Sequence, residues 1–108
     1  MSLYRFKSRE TGDLVMLEPS GKRILEVLGR DLAGPGILLA SEMPDAMEAL
    51  RAASAAEEAE RERLKAEAQA NGDPEPAFDV VSLRMRAAPL IEMMQRCHKA
   101  DVDIVWGV

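Results

Sequence analysis

A chain of 108 residues, 47% of them apolar, is long enough for one hydrophobic core and too short for two, and it can hold that core without disulfide or metal. Its formal charge of −5 opposes a phosphate backbone, and no segment carries the basic stripe with interleaved aromatics that nucleic-acid binders use. The longest apolar runs, such as residues 37–40, fall far short of the roughly 20 residues that cross a bilayer, so neither nucleic acid nor membrane is an expected partner.

Residues 3–7 alternate large and charged side chains, with Tyr4 and Phe6 on one side and Arg5 and Lys7 on the other. This predicts a half-buried strand. The opening residues lack the apolar stretch and small-residue cleavage site of a signal peptide, so a cytoplasmic location is expected. From Asp13 onward Leu14, Leu17, Ile24, Leu25 and Leu28 recur at near-helical spacing, interrupted by Pro19 and Gly21. The pattern predicts a short helical or irregular turn over 13–17, then a helix over 19–28 closed by Gly29. Gly34-Pro35-Gly36 is a turn, and the short bounded apolar run 37–40 after it reads as a buried strand.

Ser41 is placed to cap a long helix, with Pro44 in the first turn and Met43, Met47 and Leu50 on one face. Beyond Ala52 the composition becomes Ala, Glu, Arg and Lys, and Leu64 is the only large apolar side chain before the Asn71-Gly72-Asp73-Pro74 stop. The negative charge lies here, since residues 41–79 hold eleven acidic and four basic groups. Residues 52–76 are therefore expected to form a solvated helical arm and polar loop within the single domain. Ser82 then caps a third helix whose apolar stripe is Leu83, Ala87, Leu90, Ile91, Met94 and Cys97. Pro89 inside it removes a backbone bond at a cost of about 3 kcal/mol and predicts a kink or a break. Val102, Ile104, Trp106 and Val108 share one face of a final strand, expected to pair with the strand holding Tyr4 and Phe6. The expected fold is an α+β domain with an about three-stranded, mostly antiparallel or mixed sheet and helices packed on one face.

The only cluster with metal-ligand or nucleophile character is Cys97, His98, Asp101 and Asp103. Adjacent helical residues point about 100° apart, and no second Cys or His completes a tetrahedral set. Cys97 is expected in the core and His98 at a helix C-terminus, and a lone cysteine fits a reducing compartment. Lys22, Arg23, Arg30, Arg84, Arg86, Arg96 and Lys99 read as solvated helix faces, because no Gly-rich loop accompanies them to cradle a phosphate. The methionines read as core filling, and Glu42, Asp45, Glu48 and Glu92 as surface acids. No catalytic, cofactor-binding or metal-binding residue is assigned.

Five stretches resemble a known family when taken together. They are Tyr4-Arg5-Phe6-Lys7-Ser8, the 12–17 segment Gly-Asp-Leu-Val-Met-Leu, the 29–38 stretch around Gly-Pro-Gly, residues 82–93 with Ala87-Ala88-Pro89, and the ending Asp103-Ile104-Val105-Trp106-Gly107-Val108. The chain resembles the uncharacterised bacterial domain-of-unknown-function family numbered 1840 over its whole length apart from the Ala/Glu arm. The resemblance implies a bacterial protein with that family's fold, and it brings no activity, cofactor or catalytic residue. The first functional expectation is a non-enzymatic interaction or regulatory module, with the acidic arm taking a basic or mixed-charge protein partner. The alternative is a small-molecule binder or enzyme with a site between sheet and helices near Arg84, His98 and Asp101. That alternative requires a buried pocket of several hundred Å3 with a strongly perturbed titratable group. Oligomeric state is left open.

Overall fold

A computed structural model describes residues 3–107. Strands β1 (Leu3–Lys7) and β2 (Leu14–Leu17) lead into helix α1 (Glu18–Val27). After them come β3 (Gly36–Leu38), a 3-10 turn at Ala40–Glu42, the 29-residue helix α2 (Met43–Asn71), α3 (Leu83–Ala100) and β4 (Ile104–Trp106). The sheet has the order β2-β1-β4-β3 with every neighbouring pair antiparallel. The architecture is the expected α+β, with four strands in place of three.

The additional strand is β2, where a helical or irregular turn was expected over 13–17. Leu14 and Leu17 fit a helical spacing, but Leu-Val-Met-Leu is a short apolar run whose periodicity alone does not separate strand from helix. Pairing decides it: Arg5 faces Val15 and Phe6 faces Leu14, so Leu14 and Met16 turn inward while Val15 and Leu17 turn outward. The connection is closed by the Ser8 hydroxyl, which accepts the N–H groups of Glu10 and Thr11 at 3.2 and 3.0 Å.

The first and last strands pair as expected, with Phe6 opposite Trp106 and Lys7 opposite Val105. Val108, expected as the last inward residue of β4, lies outside the described residues. The inner sheet face contributes Phe6, Met16, Leu38, Ile104 and Trp106 to the core, and all three helices lie on that side. Helix α1 approaches β1 so closely at Gly21 that a Cβ there would overlap the Tyr4 ring. Gly29, at φ +70°, ends this helix, as Arg30 N–H reaches back to the Leu25 carbonyl at 2.9 Å.

Ser41 does not cap α2. It lies inside the 3-10 turn, whose start the Glu42 carboxylate caps by accepting the Leu39 N–H at 2.8 Å, and α2 itself begins after Glu42 without a side-chain cap. Met43, Met47 and Leu50 then pack with Leu83, Ala87, Leu90, Met94 and Cys97 of α3 in one core. Helix α3 starts at Ser82, whose hydroxyl accepts the Met85 N–H, and runs unbroken through Pro89. Pro89 is on the solvent side, and so is Met85, so water can serve the carbonyl that the proline leaves without a donor.

The expectation that α2 is solvated from residue 52 needs correction. Ala53 is half-buried and Ser54 is buried with its hydroxyl on the Leu50 carbonyl at 2.7 Å. Three residues on, Glu57 is only 10% exposed. The returning segment reaches α2 at Arg61, whose guanidinium stacks over Phe78 at 5.1 Å and donates to the Asp79 carbonyl. Counting large apolar residues missed these contacts because ion pairs and a cation–π stack make them.

Candidate functional site

The three sequence-proposed contact residues are split between the two ends of α3. Arg84 lies in the first turn and pairs with Glu58 of α2, whereas His98 and Asp101 lie about 21 and about 26 Å further along the axis at 1.5 Å per residue. Asp101 is the left-handed C-cap of α3, at φ 57°. His98 Nδ1 is 2.9 Å from the Ala40 carbonyl, and the Asp103 carboxylate accepts the Ala40 N–H at 3.0 Å. These two side chains therefore hold the backbone N–H and carbonyl of buried Ala40 on the way into α2. Cys97 is fully buried in the core, whereas His98 is exposed. Among the described residues no three His, Cys, Asp or Glu side chains gather as a metal site. Arg84 lines a groove with Arg51, Ser54, Ile91 and Gln95, which excludes His98 and Asp101.

The best-developed charge arrangement joins all three helices at Glu57. Its carboxylate accepts the Leu83 N–H at 3.0 Å and meets Arg23 at 2.6 Å and Arg61 at 3.4 Å. Burial pushes the Glu57 carboxyl up, but the Leu83 N–H and the two guanidinium groups outweigh it and hold the group below its ordinary value. Glu42 is likewise lowered, first by the Leu39 N–H and then by Arg30 at 2.9 Å. On the distal arm Arg63 bridges Glu60 and Glu67, so much of the arm's charge is matched within the helix.

The outer face of the sheet has no helix over it. Leu3, Val15, Leu17 and Ile37 stand there 55%, 41%, 43% and 46% exposed. Leu3 stands opposite Leu17 on β1 and β2, Ile37 stands opposite half-buried Val105 on β3 and β4, and Val15 stands opposite Arg5. The charged side chains among them are Arg5, which pairs with Asp13 at 3.4 Å, and Lys7, opposite Val105. Sequence reading missed this face, because its apolar members come from four segments that only strand pairing brings together.

Two grooves flank the ends of β2. One, of about 420 Å3, lies between the β2–α1 corner and the start of α3 and is lined by Leu17, Ser20, Arg23, Val80, Ser82 and Arg86. The other, of about 220 Å3, lies at the Leu14 end against Pro89, Glu92 and Arg96 of α3. Both are open clefts lined by polar and apolar side chains together.

Comparison with known proteins gives one positive result. The family model described as Domain of unknown function (DUF1840) matches residues 2–106. No curated protein and no solved structure matches the chain. Among the described residues no helix is long and apolar enough to cross a membrane.

Proposed function

As the chain belongs to the DUF1840 family, whose description carries no activity, we propose that it is a non-enzymatic interaction or regulatory module of a bacterial cytoplasm that binds a protein partner through its sheet. The observation that carries this reading is the uncovered sheet face with Leu3, Val15, Leu17 and Ile37 exposed on it. An antiparallel sheet packed on one side normally turns polar residues to water on the other, and large apolar side chains standing on that face from β2 across to β3 favour a covering partner. The acidic arm, first expected to be the partner surface, is the weaker candidate because Arg63 and its glutamates already satisfy one another.

Affinity capture from the bacterial cytoplasm tests the reading with three forms of the protein. The wild type and a form lacking 63–76 should retain the same partner. A Val15→Lys, Ile37→Lys double variant with unchanged circular dichroism and melting temperature should lose it. Equal retention by all three would contradict the reading.

A further inference from the structure

We propose that residues 29–35 form a hinged strap that opens as a unit while the rest of the fold stays intact, and that its opening gives water access to the buried Trp106 indole. The proposal stands independently of the interaction reading above. Trp106 is 3% exposed, and its buried Nε1–H finds no acceptor among the described residues. A buried donor without a partner penalises the closed state, and a conformation that lets water reach it removes that penalty. The chain beside the indole is residues 34–36. Gly36 lies so close to the ring that an added Cβ would meet Nε1 at 2.7 Å, and a Cβ on Gly107 would meet the Pro35 backbone at 2.7 Å.

The strap is held at few points. Residues 31–35 are all exposed, and among the described residues none of their backbone groups joins a backbone–backbone hydrogen bond outside the strand pairings. Two contacts tie it to the rest of the fold: the Tyr4 hydroxyl donates to the Leu32 carbonyl at 3.1 Å, and Arg30 meets Glu42 at 2.9 Å. The Asp31 carboxylate accepts the Ala33 N–H at 2.9 Å, which closes a turn inside the strap and keeps it one piece. Both ties lie at the surface, where a hydrogen bond or ion pair contributes little. Gly29 and Gly34, at φ +70° and +80° with open space where a Cβ would stand, bound the segment and serve as its hinges. Strand β3 follows directly and carries Ile37, so closure of the strap fixes where that side chain stands on the outer face.

Hydrogen exchange of the indole N–H, followed by NMR on the full chain from zero to moderate urea, tests the strap, and the signal is unambiguous because the chain has one tryptophan. The indole should exchange at least about a hundredfold faster than the backbone amides of buried Met94 and Ile104. Its rate should not change with urea, since a local opening exposes little surface and global unfolding exposes much. Tyr4→Phe, which removes only the hydroxyl on the Leu32 carbonyl, should speed indole exchange about threefold. Gly34→Ala, which strains the closed turn, should speed it about tenfold, and Arg63→Ala on the distal arm should leave it unchanged. An indole rate equal to that of the core amides and rising with urea alongside them would overturn the proposal, because only global unfolding would then uncover the ring. Exchange as fast as that of free indole, or indifference to both strap substitutions, would overturn it as well.

Discussion

Trp106 stands opposite Phe6 across the β1–β4 pairing, with ring centroids 5.9 Å apart and planes tilted by 55°. On its other side Trp106 covers Gly36, where an added Cβ would fall inside the indole ring. A strand of three residues thus joins the two halves of the sheet through one buried aromatic. Trp106→Ala should cost about 3–5 kcal/mol and lower the melting temperature by well over ten degrees for a domain of this size. Gly36→Ala should also destabilise, by displacing that ring. Native emission from this single tryptophan should be blue-shifted and move to the red on denaturation. An emission already at the solvent wavelength in the native protein would mean that the ring is not in the core.

Ala40 gives a second test, because its backbone N–H and carbonyl have different partners. Asp103→Ala leaves the N–H of a buried residue unpaired and should cost about 1–3 kcal/mol. His98→Ala removes one of two partners of the carbonyl, which keeps the Met43 N–H, and should cost about 1 kcal/mol or less. Urea unfolding of the two variants and their double mutant gives both values and their coupling. A larger effect for His98 than for Asp103 would contradict this assignment.

Glu57 makes stability depend on acid. Its carboxyl is held below the ordinary value of 4.5, so the unfolded chain takes up the proton first as pH falls. The contribution is fully present above that value and is lost as pH drops through the lower, folded one. Unfolding free energy measured from pH 7 to pH 3 should therefore fall on the acid side. Glu57→Gln should be less stable at neutral pH and show a shallower acid decline. An unchanged slope would show that the Leu83, Arg23 and Arg61 contacts do not hold the ionised form.

The arm divides into an anchored and a free part. Deleting 63–76 and closing with a short Gly-rich linker leaves Arg61 on Phe78 and should shift the melting temperature by only a few degrees. Deleting 54–72 also removes buried Ser54 and the Glu57 contacts and should cost clearly more. Equal melting temperatures for the two deletions would show that the Glu57 junction adds nothing to stability.

Strands β1 and β4 and their pairing were legible from alternation, because Tyr4 and Phe6, like Ile104 and Trp106, mark one face within a few residues. Helix α3 was legible from its Ser82 cap and its stripe. What was hidden depends on distant partners. Strand β2 is distinguished from a helical turn only by its bonds to β1, and Glu57 is buried only because Arg23, Arg61 and the Leu83 N–H surround it. The sequence grouping of Arg84 with His98 and Asp101 failed on helix length, since one helix carries them at opposite ends. The exposed sheet face and the open β2 edge are properties of the strand order, and no single stretch of sequence encodes that order.

The most direct measurement places a photo-crosslinking amino acid in the cell of origin, at Val15 on the open face of β2 or at Ala66 on the distal arm. Irradiation should give a discrete crosslink to one protein species from Val15 and none from Ala66. A crosslink from Ala66 with nothing from Val15 would contradict partner binding through the sheet.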